Sequence, residues 1–171
     1  MPYSYHTFNS FIAFFIMNNF NKSKILDVGP GAGKYSILLK DVYSEIDGVE
    51  IFEPNIEKFD LHKKYSNIYN EDITKFNFEK GRYDLVVMGD ILEHLSVEDA
   101  HKTLEYLSAQ DTPVLVVVPY EYEQGSVDGN DHEEHLQDDL THEIMQKRYP
   151  NLICLIKDAE IGVYFTDYRV K

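Results

Sequence analysis

The sequence predicts an α/β fold, a single doubly wound domain with helices on both faces of a mostly parallel sheet. Two nearly continuous apolar runs, Tyr-Asp-Leu-Val-Val-Met at 83–88 and Pro-Val-Leu-Val-Val-Val-Pro at 113–119, have the composition of strands buried on both faces. Apolar strand signals alternate with helical ones along the chain, which is the pattern of a parallel sheet wound by crossover helices. At 24–36 a short apolar strand passes through three glycines at alternate positions into a helix start, and such a turn lets the backbone come close to a ligand.

Taken in order, the first element is an N-terminal segment over 1–22. Phe8, Phe11, Ile12 and Phe15 recur at helical spacing, so it reads as an amphipathic helix covering an edge of the sheet. It lacks the basic start and cleavage site of an export signal, and its apolar run is too short to span a bilayer. Strand one and the glycine turn lead into a helix with Tyr35, Leu38, Leu39 and Val42 at helical spacing. Residues 46–51 read as the second strand, and Pro54 opens a helix through Ile56 and Phe59. Residues 67–70 hold the place of a third strand, by their position in the alternation more than by composition. After the fourth strand at 83–88, Ser96-Val97-Glu98-Asp99 predicts a capping box for a helix carrying Val97, Ala100, Leu104 and Leu107. The fifth strand, 113–119, is followed by a break in rhythm at 120–139, with two glycines, many acids and no apolar period. A loop of that length past a strand's carboxyl end predicts a lid over the ligand crevice. A helix through Leu140 and Ile144 then stops at Pro150, and 152–156 with 161–165 predict a closing antiparallel pair.

The 171 residues, 43% hydrophobic, suit one domain over 1–171 with a substantial core. Thirty acidic against 16 basic residues leave a net charge of −14, so the summed field repels phosphate backbones and anionic membranes and disfavours nucleic acid as a partner. The single cysteine, Cys154, excludes an internal disulfide framework and a cysteine-based zinc cluster. It is expected in the core, and it fits a reducing cytoplasm.

Asp27 stands two residues before Gly29, and the turn continues through Gly31 and Gly33 as G-x-G-x-G, not the G-x-G-x-x-G of dinucleotide sites. A carboxylate at that place suits an α-ammonium group better than a pyrophosphate. In these residues the chain resembles the class I S-adenosylmethionine-dependent methyltransferases, and its order of elements is similar to theirs from Ile25 to the C-terminus. The resemblance implies a Rossmann-like, seven-stranded, mostly parallel sheet with an antiparallel last strand, and S-adenosylmethionine as cofactor. Glu50 lies about 20 residues past the first glycine, where an acid meets a ribose in nucleotide-binding units. With Ile51 it is expected to bind the nucleoside. The family places an acid after strand three on the adenine amino group, which implies Asp72, with Glu71 as rival, and Ile73 against the ring. Gly89 and Asp90 are implied to line the methionine moiety.

Methyl transfer from a sulfonium is an in-line displacement, so the protein positions the acceptor and removes its proton where that is needed. His94, His132 and His135 are the candidate bases, since imidazole titrates near neutral pH, although Glu93 and His94 could instead cap the next helix. Asp90, Glu93 and His94, with the later His132, are also similar to the Glu-x-x-Glu-His and distant His of metal-dependent small-RNA 2′-O-methyltransferases. Asp90 is shorter than the Glu it replaces and the net charge opposes RNA, so the sequence assigns no metal. The expectation is a cytoplasmic S-adenosylmethionine-dependent methyltransferase acting on a small or conjugated polar acceptor, without membrane insertion. The alternatives are a non-catalytic module binding the same cofactor and an NAD-binding Rossmann oxidoreductase. Asp27, the glycine spacing and the lack of a substrate domain disfavour the second.

Overall fold

The computed structural model describes residues 6–20 and 23–166. Seven strands, β1 (Ile25–Val28), β2 (Ile46–Val49), β3 (Ile68–Tyr69), β4 (Leu85–Gly89), β5 (Val114–Pro119), β6 (Leu152–Lys157) and β7 (Ile161–Thr166), form one sheet in the order β3-β2-β1-β4-β5-β7-β6. β2 pairs parallel with both β1 and β3, whereas β7 runs antiparallel to both β5 and β6. The predicted mostly parallel α/β sheet with an antiparallel last strand is therefore the one found. The helices are α1 (Asn9–Asn19), α2 (Lys34–Leu39), α3 (Glu53–Lys58), α4 (Val97–Ala109) and α5 (His142–Arg148). The chain packs as two compact units, one closing at Val87 and the other beginning at Met88.

In the first unit, β1 and β2 are buried along their whole length. Asp47 of β2 is a fully buried charge. Its carboxylate accepts from Asn67 Nδ2 (2.8 Å) and the Tyr83 hydroxyl (3.0 Å) and pairs with Lys24 Nζ (3.1 Å), so each oxygen lost to solvent gains a partner. α1 buries Ile12, Ala13 and Ile16, a stripe rotated from the expected one. Phe8, Phe11 and Phe15 border it half-buried, because the seam against α2 takes small and branched side chains while the large rings close its edges. The Tyr43 hydroxyl ties the seam by donating to the Ile16 carbonyl (3.0 Å). Residues 1–5 and 21–22 of the expected 1–22 segment lie outside the described residues. Val42, expected on the buried face of α2, is exposed, since the helix ends at Leu39.

In the second unit Ser96 caps α4 as predicted, with Asp99 bonded to its hydroxyl. Ser96 Oγ accepts from the Asp99 N–H (3.1 Å) and donates to Asp99 Oδ2 (2.7 Å), fixing the start of α4. The buried face of α4 is Ala100, Thr103 and Leu107; Val97, in the first turn, lies off it and is exposed. β5 is buried throughout. β6 is the last strand of the sheet and carries a register shift between Cys154 and Ile156, and bulges of this kind are common at sheet edges. For that reason Cys154 is only half-buried, not a core residue as expected. No described helix is long and apolar enough to cross a membrane.

Candidate functional site

β1 carries Asp27 into the first unit's interior, and the turn after it has φ values of +60° at Gly29, +51° at Gly31 and +83° at Gly33. All three lie in the left-handed region, where a Cβ costs roughly 1–2 kcal/mol per residue. A Cβ on Gly33 would also meet Lys64 Cδ at 2.8 Å, and Lys64 Nζ donates to the Ala32 carbonyl (2.8 Å). The Gly29 N–H donates to the Val49 carbonyl (2.9 Å), so it belongs to the sheet and not to a ligand.

Asp27, within β1, and Glu50, the residue after the adjacent parallel strand β2, are 1% and 4% exposed. The Tyr65 hydroxyl donates to Asp27 Oδ2 at 2.5 Å. Burial pushes the Asp27 carboxyl up to about 7, with the Glu50 charge adding to it and the Tyr65 hydrogen bond and Lys34 charge opposing it. Burial foremost, then the Asp27 charge, raises the Tyr65 hydroxyl in turn. Glu50 Oε1 accepts from the Phe52 N–H (2.9 Å), and Asn70 Nδ2 donates to the Glu50 and Ile51 carbonyls (2.8 and 3.1 Å). Ile51 is exposed and Ile73 buried. A turn with three glycines beside two buried carboxyls fits a ligand bearing an ammonium group and vicinal hydroxyls.

Asp72 has local duties as well. Its Oδ1 accepts from the Thr74 N–H and hydroxyl (2.9 and 2.8 Å), and its Oδ2 pairs with Lys75 (3.0 Å). Partial burial works to raise its pKa, but the Thr74 bonds and Lys75 outweigh that and hold it below the usual value. Its rival Glu71 is paired with Lys80.

In the second unit, Gly89 closes β4, and Asp90 adopts a left-handed φ of +57° with its N–H donated to the Val117 carbonyl (2.9 Å). The 3-10 turn Leu92–His94 follows. Glu93 is 1% exposed, and no other described residue hydrogen-bonds to either of its carboxyl oxygens. Burial above all, and the charges of Asp90 and Glu133, push its pKa well above the ordinary value. His94 Nδ1 meets the Glu134 carbonyl (3.1 Å) and His135 Nδ1 the Tyr122 carbonyl (2.6 Å). The two rings pack edge to face with centroids 4.6 Å apart. Burial pushes His94 down to about 4, the nearby His135 adding to this and the Glu134 bond opposing it. Since Ser96 caps α4, neither Glu93 nor His94 serves as the cap.

The 120–139 loop is held onto this turn by its backbone. The Leu136 and Gln137 N–H groups donate to the Glu93 carbonyl (2.8 and 3.0 Å). The buried Gln137 side chain donates to the Leu92 and Leu95 carbonyls (2.9 and 3.0 Å) and accepts from Arg148 (2.9 Å) and Tyr149 (2.7 Å). His94 and His135 are thus brought together, while His132 is exposed in the 3-10 turn Asp131–Glu133, apart from them. Tyr65 and Gln137 are the residues that sequence reasoning missed. Neither carries a local signal: one acts 38 residues from its partner and the other is a buried amide within a polar loop.

This chain belongs to the methyltransferase domain family, whose model matches residues 3–156. Among solved structures it is similar to an S-adenosylmethionine-dependent methyltransferase from Clostridium acetobutylicum ATCC 824, at 15% identity and a TM-score of 0.69 over 96% of this chain and 92% of that one. The N-terminal domain of EvdMO1, determined with SAH bound, is similar at 16% identity and a TM-score of 0.67, over 95% and 82% of the two chains. The methyltransferase domain of bacterial CtHen1-C follows at 18% and 0.64, over 92% and 95%. At these identities the likeness is one of fold. No curated protein matches the chain. The expected family and fold are those found, and the oxidoreductase alternative falls with them.

Proposed function

We propose that this protein transfers a methyl group from S-adenosylmethionine to a small or conjugated polar acceptor. One observation carries the reading within a methyltransferase family: Asp27 in β1 and Glu50 just after β2, both buried, flank a turn with three left-handed glycines. Asp27 holds the ammonium group of the donor and Glu50 its ribose hydroxyls. Asp72 accepts from the adenine amino group beside its bonds to Thr74 and Lys75, and Ile51 and Ile73 lie against the nucleoside. The donor supplies a sulfonium methyl group open to in-line attack.

The chain's own part is to orient the acceptor and take its proton. A carbonyl can only accept, so His94 and His135 each keep their proton on Nδ1 and present a bare Nε2. With its pKa near 4, His94 is a weak base at neutral pH. His135 offers the second bare Nε2, and the exposed His132 serves only an acceptor that reaches out to it. Calorimetric titration with S-adenosylmethionine and, in parallel, NAD tests the donor. Release of S-adenosylhomocysteine across a panel of hydroxyl, carboxyl and amine acceptors tests the chemistry. Saturable binding of the first ligand with turnover on a panel member is expected. Binding of NAD alone would sink the donor assignment, and donor binding without turnover on any acceptor class would leave a binding module.

A further inference from the structure

We infer that Glu93, His94 and His135 form a binding site for a divalent first-row transition cation. One ligand atom from each of the three lies within 4.8 Å of the others, a spacing that small side-chain rotations bring to the bonds of about 2.0–2.2 Å that one ion makes. The second, independent observation is Glu93 itself. It is 1% exposed, neither carboxyl oxygen has a hydrogen-bond partner among the described residues, and a buried polar group left unmet is destabilising. A cation bound there meets that need.

The two imidazoles are prepared in the manner of metal ligands. Each ring donates Nδ1–H to a backbone carbonyl, of Glu134 and of Tyr122. Such bonds fix the tautomer, orient the ring and leave Nε2 as the donor atom. The elements that carry the ligands are joined by backbone bonds from Leu136 and Gln137 to the Glu93 carbonyl, so the set is preorganised in one unit of the chain. His132, which the sequence pattern put forward, is not in this group; His135 stands in its place. Two imidazole nitrogens and one carboxylate favour manganese-to-zinc cations over calcium or magnesium. Three protein ligands leave a position open for water or an acceptor oxygen. Use of that position on an acceptor rests on the methyl-transfer reading; the cation site itself does not.

The test is equilibrium titration of the full chain with Mn2+ and with Zn2+ against a background of excess Mg2+, which occupies ordinary surface carboxylates. Co2+ is followed in parallel by its visible absorption. One equivalent of cation and a Co2+ spectrum of mixed nitrogen and oxygen ligation are expected. Glu93→Gln and His135→Gln should each weaken uptake at least tenfold, and His132→Gln should leave it unchanged. If Glu93→Gln does not fold, His135→Gln, at a half-buried loop position, decides alone. No uptake, uptake untouched by His135→Gln, or uptake lost in His132→Gln would each overturn the site. Titration with S-adenosylmethionine in the same preparations, with and without cation, reads the donor assignment separately.

Discussion

Asp27, which we propose holds the donor's ammonium group, ties stability to pH through its burial. Its pKa rises from the ordinary 3.8 to about 7, burial being the largest cause, so the native state keeps a proton that the unfolded chain has already released. Its contribution to stability is therefore full below about pH 4, declines as pH rises, and is gone above about pH 7. The loss is on the order of 4 kcal/mol. Urea midpoints of wild type and Asp27→Asn, measured from pH 4 to pH 8, should differ by an amount that follows this course. Cofactor affinity runs the other way. An ammonium group requires the ionised carboxyl, so affinity should fall by up to about tenfold per unit as pH drops below about 7, and Asp27→Asn should lose that dependence. At Gly31 the φ of +51° makes Gly31→Ala cost about 1–2 kcal/mol of stability. The same variant should weaken cofactor binding tenfold or more in calorimetry, and undiminished affinity would count against a ligand lying on this turn.

Among the elements, the 120–139 loop depends on Gln137. Its amide satisfies two carbonyls of the 92–95 turn and receives Arg148 and Tyr149 from the end of α5, while Arg148 also holds Asp139 through two bonds (3.0 and 2.7 Å). Gln137→Leu keeps a comparable volume, removes four hydrogen bonds and leaves the buried Tyr149 hydroxyl without its acceptor, for a cost of about 3 kcal/mol. The loss should concentrate in the loop. Limited proteolysis is expected to cut 120–139 in the variant while β5 and β7 stay protected, and unchanged protease resistance would show that other contacts hold the loop.

For the molecule as a whole, the decisive quantity is its charge. Thirty carboxylates against 16 cationic side chains repel one another in the folded state, and salt screens that repulsion over about 8–10 Å at physiological strength. Raising NaCl from about 20 mM to about 200 mM should therefore raise the thermal midpoint by a few degrees and not lower it. A falling midpoint would mean that exposed ion pairs such as Lys102 with Glu98 (2.7 Å) outweigh the net repulsion.

What the sequence determined by itself is what short-range rules encode. Near-continuous apolar runs marked β4 and β5, the Ser96 box marked the start of α4, and alternate glycines marked a turn with three left-handed φ values. These signals depend on residues within a few positions of one another, so they survive without knowledge of the fold. Which face of a helix is buried was less legible: α1 hides Ile12, Ala13 and Ile16 rather than its Phe stripe, because the shape of the partner seam decides. The candidate site divides in the same way. Asp27 and Glu50 could be read from their places at strand ends, whereas Tyr65, Gln137 and the pairing of His94 with His135 could not. Those depend on segments 38 to 45 residues apart meeting in space, and only the packed chain sets which groups burial leaves without water, and so which carboxyls it drives up and which imidazole it drives down.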